Sequence, residues 1–212
     1  AFHAMTEKLL DHVVLAGPNL DELVAEFRER TGIDPKPGGR HPGGTRNYLV
    51  KLSDTAYLEI IGPDVLGPDV PLPRAFGIDT LTTPKIAAWL VHPIDIEATI
   101  AAAGAAGYDT GTLGPLSRET PEGVVLKWRL TRDAPDNYGG LVPGLIDWFD
   151  TQHPSAAGLP EAGLVSFTGR HPDPAAVTAI HDALGISLDI TEAAEPGLTL
   201  VIDTPKGRVT LW

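Results

Sequence analysis

The sequence predicts an α+β fold made of a repeated unit: a strand, a helix, then two or three mostly antiparallel strands. Three observations point to it. Short apolar runs are followed by Asn or Asp helix caps at Asn19, Asp95 and Asp173, separated by 76 and 78 residues. Each amphipathic helix that follows is stopped by a glycine, at Gly32, Gly107 and Gly185. The 23 glycines and 20 prolines among 212 residues mean many turns, which excludes long bundled helices.

The elements follow in order. Residues 9–16 form an apolar strand that Gly17-Pro18 breaks. Asn19 caps the first helix, with Glu22 completing a capping box, and Leu20, Leu23, Val24 and Phe27 make its buried face. Residues 47–52 and 56–62 are the strands that complete the unit. In the second unit, residues 86–91 are a strand, Pro93 breaks it and Asp95 caps a helix with Ile96, Ile100 and Ala103 on one face. Residues 124–131 and 141–149 follow as strands, with a polar loop at 133–140 between them. In the third unit, residues 164–168 are a strand, Asp173 is the cap and Pro174 sits at the first helical position. Val177, Ile180 and Leu184 face the core, and residues 186–190, 198–203 and 208–212 are strands.

Pro/Gly/Asp-rich residues 63–73 and the linker 150–163 separate the units. Residues 1–4 read as a cloning remnant ahead of Met5, the single methionine. Residues 5–155 then hold two modules, at about 9–62 and 84–150, and residues 160–212 form a third, related half-module. Each helix covers only one sheet face, so the units must pair. An unpaired unit has an open sheet edge, which either a second copy of the chain in a homodimer or an internal covering would blunt.

Composition narrows the function. With 16 Lys and Arg against 28 Asp and Glu, the formal charge is −12, and such a chain repels nucleic acid. The absence of cysteine removes disulfides, thiolate metal sites and Cys nucleophiles. No apolar run approaches the length of a membrane span, so no membrane partner is expected. No secretory signal follows Met5, so a cytoplasmic location is expected. HExxH, GxSxG and GxGxxG patterns are all missing.

Strand alternation selects the candidate site. Leu10, His12 and Val14 share one face, and so do Tyr57, Glu59 and Ile61. If the helix covers Leu58 and Ile60, then His12 and Glu59 can meet. An imidazole and a carboxylate are a start for a divalent-metal site or, without metal, a hydrogen-bonded pair in a polar cavity. Residues 38–47 hold four glycines with Arg40, His41, Arg46 and Asn47. They either gather on an anionic group or form a solvated hairpin loop. Lys127 and Arg129 lie on the face opposite Leu126, Trp128 and Leu130. This is either an ordinary amphipathic strand with that polar face in water or, if the polar face lines a cup, one whose Arg129 clamps a ligand carboxylate. Either Asp147 or Trp148 points inward, Trp148 as core packing or as a ligand contact. His153 is either a third imidazole over the cavity mouth or a surface linker residue. His92 reads as a turn residue and His181 as structural.

The segments Leu10-Asp11-His12-Val13-Val14, residues 38–47, Tyr57-Leu58-Glu59-Ile60-Ile61, Leu126-Lys127-Trp128-Arg129-Leu130 and Leu145-Ile146-Asp147-Trp148 resemble a glyoxalase-like domain. Such domains belong to the vicinal oxygen chelate (glyoxalase/bleomycin resistance/dioxygenase) superfamily. The resemblance covers about residues 9–155, and the third unit matches in pattern only. It implies cupped, mixed or antiparallel sheets built from paired β-α-β-β-β modules, with metal or substrate in the cup. It implies ligands from a His on the first strand and a Glu on the last strand of each module, which His12 and Glu59 match. Seven residues ahead of the later caps stand Ala88 and Ser166 instead of His. Asp147 and His153 are the candidates for a third ligand.

The function so implied is an enzyme of lyase or dioxygenase type, acting on a small anionic carbonyl or enol substrate. Its divalent metal would be iron, manganese, zinc or nickel, with Glu59 catalytic and Arg40, His41, Arg46, Asn47, Arg129 and Trp148 binding substrate. The alternative is a metal-free small-molecule binding or drug-sequestering protein. The missing second-module histidine favours that, and a charge of −12 suits a cationic drug. A third reading is a metal-independent isomerase with Glu59 as general base.

Overall fold

Local capping chemistry sets the helices where the sequence predicts them. The computed structural model describes residues 4–212, so the reading of residues 1–3 as a remnant lies outside the described residues. A short helix, α1 (Ala4–Leu9), leads into β1 (Leu10–Ala16), α2 (Leu20–Thr31), β2 (Lys36–Arg40), β3 (Thr45–Lys51) and β4 (Tyr57–Pro63). The second module is β5 (Lys85–Val91), α3 (Ile96–Ala105), β6 (Thr112–Glu119), β7 (Val125–Arg132) and β8 (Gly144–Asp147). The third is β9 (Gly163–His171), α4 (Pro174–Leu184), β10 (Ile190–Glu192), β11 (Gly197–Thr204) and β12 (Gly207–Leu211). All three predicted caps form. The side chains of Asn19, Asp95 and Asp173 accept from the backbone N–H of Glu22, Ala98 and Ala176 at 3.2, 3.0 and 3.2 Å.

The first two modules close into one barrel, in the strand order β1-β4-β3-β2-β6-β7-β8-β5. β1/β4 and β5/β8 are parallel, and the remaining pairs are antiparallel. The modules join along β1/β5 and again at β2/β6, where the single pair Arg40↔Glu119 completes the ring. The sequence reading placed no strand at β2 or β6. β2 carries Pro37, Gly38 and Gly39, and β6 carries Gly114 and Pro115, all poor strand formers. Pairing with neighbouring strands overrides that weak propensity. The segment 38–47 is thus a hairpin: the end of β2, a tight turn, and the start of β3. Of the predicted strand 186–190, only its last residue enters one.

Alternation sorts the side chains. Val14, Leu49, Tyr57, Ile61, Leu90, Trp128, Ile146 and Trp148 form one buried cluster inside the barrel. Val13, Leu15, Leu58 and Ile60 point the other way, against Leu20, Leu23, Val24 and Phe27 of α2. The third unit folds into a four-stranded sheet, β10-β9-β11-β12, which packs against β5 while α4 lies against α3. The Trp89 ring of β5 meets the Phe167 ring of β9 edge to face at 5.4 Å. Its indole N–H donates to the Leu141 carbonyl at 3.0 Å, which His181 Nε2 also contacts at 2.8 Å. His181 is therefore structural, as expected. The third unit belongs to the same apolar core as the first two. Among the described residues, no helix is long and apolar enough to cross a membrane.

That shared core makes a prediction. Phe167→Ala removes a fully buried ring and should destabilise the protein by about 3–5 kcal/mol. Thermal unfolding followed by tryptophan fluorescence and by far-ultraviolet circular dichroism should give one coincident transition. Separate barrel and third-sheet transitions would contradict the common core.

Candidate functional site

A cavity of about 780 Å³ runs from the barrel interior and opens to solvent past Arg74, Arg132 and Asp133. Its polar end is built by register. His12 on β1 stands beside Tyr57 on β4, and Val14 beside Glu59. Leu49 on β3 pairs with Glu59, and Asn47 with Ile61. His12, Asn47, Tyr57 and Glu59 therefore share the inward face, and all four line the cavity. His12 Nε2 lies 3.6 Å from Glu59 Oε1. Asn47 Nδ2 donates to Glu59 Oε2 at 2.7 Å. The Tyr57 ring stacks on the His12 ring at 4.7 Å and 12°. Burial, with the charges of Asp11 and Glu59, holds the Tyr57 phenol well above its ordinary value.

Behind His12 is a carboxylate that the sequence reading did not single out. The β1/β5 register shifts between Leu10 and His12, so Asp11 has no partner in that ladder. This bulge re-aims its side chain. Asp11 is fully buried. Its Oδ2 lies 2.5 Å from His12 Nδ1. Its Oδ1 accepts from Trp148 Nε1 at 2.9 Å and lies 2.8 Å from both His92 Nδ1 and His153 Nε2. Burial alone would raise the Asp11 carboxyl, but hydrogen bonds from His12, His153 and His92 hold it well below the usual carboxylate range.

An ionised carboxylate only accepts, so the ring nitrogens facing it carry N–H. For His12 that proton is on Nδ1, and in the neutral ring the Nε2 lone pair faces Glu59. His92 meets acceptors on both sides, Asp11 and the Lys8 carbonyl at 2.9 Å. It satisfies both only as an imidazolium. Burial works to lower the His92 imidazole, but the hydrogen bond and charge of Asp11 outweigh it and raise it above its ordinary value. His92 is thus a structural cation rather than the turn residue the sequence suggested.

The other expected site residues divide into two groups. His41 and Trp148 line the cavity. His41 Nδ1 lies 2.9 Å from Thr45 Oγ1, and burial pushes its imidazole below the ordinary value. Arg40, Arg46 and Arg129 do not line it. Arg40 is exposed and pairs with Asp64 at 3.3 Å. Arg46 lies between the inward-facing Thr45 and Asn47, so it faces outward and binds Asp21 at 2.7 Å. Arg129 pairs with Asp147 at 3.1 Å on the outer surface, because Trp128 and Leu130 take the inward face of β7. Asp147 is accordingly turned away from His12 and Glu59, and His153 reaches Asp11 instead of joining them. A residue the sequence reading missed, Arg118 of β6, enters the polar end. It lines the cavity, and its guanidinium donates to the Gly38 carbonyl.

Two donor groups bear on a metal. Asp11, His92 and His153 each bring one ligand atom within 4.8 Å of the others, a group that could hold an ion. Here both histidines hydrogen-bond Asp11 directly, and an ion would have to displace the protons on His92 Nδ1 and His153 Nε2. His12 and Glu59 supply two donors where a resident divalent ion takes three or more. Arg118 brings a fixed positive charge toward the same end. As arranged, His12 and Glu59 alone do not complete a resident ion's ligand set, and the Asp11 group would have to lose its protons to take one.

A family model described as "Glyoxalase-like domain" matches residues 10–185, which include every cavity residue named above. No curated protein matches the sequence. Among solved structures, a hypothetical protein from Staphylococcus aureus is similar over 95% of this chain and 97% of its own, at 13% identity and TM-score 0.68. Methylmalonyl-CoA epimerase from Streptomyces coelicolor, in complex with 2-nitronate-propionyl-CoA, aligns over 66% of this chain and 96% of its own, at 18% identity and TM-score 0.44. A variant of 4-hydroxymandelate synthase from the same organism aligns over 96% of this chain and 62% of its own, at 14% identity and TM-score 0.47. The Staphylococcus aureus likeness shows the fold.

The Asp11 cluster predicts how stability follows pH. Asp11 is lowered in the folded state, so its contribution is present above about pH 4 and is lost as pH falls through the folded value. His92 is raised, so its contribution is present below about pH 6.5 and is lost as pH rises through its folded value. Calorimetry across pH should find Tm highest between these limits. His92→Gln should flatten the alkaline decline. Asp11→Asn should cost about 3–5 kcal/mol by leaving buried donors opposed.

Proposed function

The chain belongs to the glyoxalase-like domain family, and on that premise we propose that the barrel cavity is an active site for proton transfer on a small anionic carbonyl or enol substrate. One observation carries this reading: two bases, His12 Nε2 and Glu59 Oε1, lie 3.6 Å apart facing the cavity. Each is held from behind. Asp11 holds the far nitrogen of His12, and Asn47 holds the other oxygen of Glu59. Held groups of this kind meet a substrate without first reorganising, which is what proton transfer needs. Glu59 takes the proton from the carbon next to the carbonyl, and the electron pair of that C–H bond moves onto the carbonyl oxygen as an enolate. The same proton returns from Glu59 directly or passes through the His12 Nε2 lone pair to the neighbouring atom. Trp128, Trp148, Leu116 and Ile146 give the site an apolar wall. Isomerase and lyase reactions both begin with this step.

A second reading, metal-assisted lyase or dioxygenase chemistry, has one observation in its favour. A carboxylate hydrogen-bonded to the far nitrogen, as Asp11 is to His12, commonly backs a metal-bound histidine. Its donors in the cavity would be His12 and Glu59. Binding without turnover would make the chain a small-molecule binding protein.

The test is deuterium exchange at C3 of 2-oxo carboxylates and at C2 of 2-hydroxy carboxylates in D₂O, followed by proton NMR on chelator-treated protein. Exchange should occur, and Glu59→Gln should slow it by about 10²–10⁴-fold. Exchange that is unchanged in Glu59→Gln would sink the reading. Exchange that needs added metal, together with metal binding lost in His12→Ala, would favour the second.

A further inference from the structure

We propose that Arg118 is the seat for a carboxylate group of the ligand, placed in the cavity beside His12 and Glu59. The inference rests on the reading of the cavity as the ligand site and names the chemistry of what enters it.

The first observation is an unanswered charge. Arg118 is 6% exposed. Its one hydrogen-bond partner among the described residues is the Gly38 carbonyl, a neutral acceptor. No carboxylate among the described residues lies within 4.0 Å of its guanidinium, whereas Arg40, Arg46 and Arg129 all have one. Glu59 is near enough for its charge to act on Arg118, but that carboxylate is engaged by Asn47 and faces His12. Arginine does not shed its proton in a protein, so the cation stays, in a residue that lines the cavity. A buried charge without a partner is costly, and a planar carboxylate matches the guanidinium fork.

The second observation is the charge of the lining. Four of the sixteen Lys and Arg residues line the cavity (Arg74, Lys85, Arg118 and Arg132), against two of the 28 acidic residues, Glu59 and Asp133. Arg74, Lys85, Arg132 and Asp133 are exposed, and Arg118 and Glu59 are buried, so the lining is net positive in a chain of net charge −12. Low-dielectric walls focus such a field and favour entry of an anion.

The third is position. On β6, Leu116 stands opposite Trp128 of β7, and Arg118 is one inward step further along. A ligand whose apolar body lies on Trp128 and Leu116 reaches Arg118 with its acid group. Its reactive carbon is then toward Glu59 and His12.

The test uses chelator-treated full-length protein with pyruvate, malonate and benzoate, and with pyruvamide, malonamide and benzamide as neutral counterparts. Binding is read by quenching of tryptophan fluorescence and by the shift in Tm. At least one carboxylate should bind saturably where its amide does not. Arg118→Gln should weaken that binding by about tenfold or more, the change expected on losing a charged hydrogen bond. Arg118→Lys should keep part of it. Arg208→Gln, on the third sheet, should leave it unchanged.

Four results would overturn the proposal. They are no saturable carboxylate binding, equal binding of acids and amides, binding unchanged in folded Arg118→Gln, or binding of inorganic phosphate in place of carboxylates. If Arg118→Gln does not fold, the acid–amide comparison on the unaltered protein and Arg118→Lys still decide. Carboxylate binding that persists when deuterium exchange is absent would overturn the proton-transfer reading alone. Exchange without Arg118-dependent binding would overturn this inference alone.

Discussion

A carboxylate taken wholly out of water must be given donors, and this requirement at Asp11 organises one end of the barrel. The donors come from far apart in the chain: His12 next to it, His92 just past β5, Trp148 just past β8, and His153 in the linker to the third unit. Through His92 the same cluster reaches the Lys8 carbonyl at the end of α1. Four segments that could otherwise splay are thereby tied to one point. The same bonds select the His12 tautomer and leave its Nε2 for the cavity. Stability and site chemistry therefore share one residue, and any change that relaxes the cluster also relaxes the orientation of His12.

Barrel closure imposes a second constraint, at the seam between the modules. β2 must approach β3 on one side and β6 on the other, at the level of Asn47. A Cβ on Gly38 would lie 2.2 Å from Asn47 Oδ1, and one on Gly39 would lie 2.1 Å from the Glu119 carbonyl. Two successive glycines let the backbone pass between them. The Gly38 carbonyl then receives Arg118, while Asn47 holds Glu59. The glycine-rich segment thus acts through backbone approach, and its basic side chains Arg40 and Arg46 stay outside.

These two constraints explain what was legible in the sequence and what was not. Helix positions were legible because capping is local: Asn19, Asp95 and Asp173 each bind a backbone N–H three residues on. The meeting of His12 with Glu59 was legible because strand alternation and the buried face of α2 leave only one inward set. Asp11 was not, since a bulge breaks the alternation by which it would be judged, and its partners His92, Trp148 and His153 lie 81, 137 and 142 residues away. Arg118 was hidden because its strand contains Gly114 and Pro115 and has no strand signature of its own. The face of β7 was misjudged for a different reason. A polar stripe was assigned to the cup, but the barrel interior is apolar along Trp128 and Leu130, and Arg129 finds Asp147 and Glu97 outside.

Net charge is the remaining lesson. A total of −12 argues against nucleic acid as a partner, because that interaction samples the whole surface. It does not argue for a cationic ligand, because a small molecule in a barrel samples only the lining. The acidic residues are mostly outside, where water screens them. The cavity instead holds Arg118 among apolar walls, where a charge acts over longer range. A sequence sum averages these two environments, and only the fold separates them. Binding of a cationic drug, which the sum favours, is opposed by Arg118 in the lining, and the anionic ligand we propose would meet the opposite charge there.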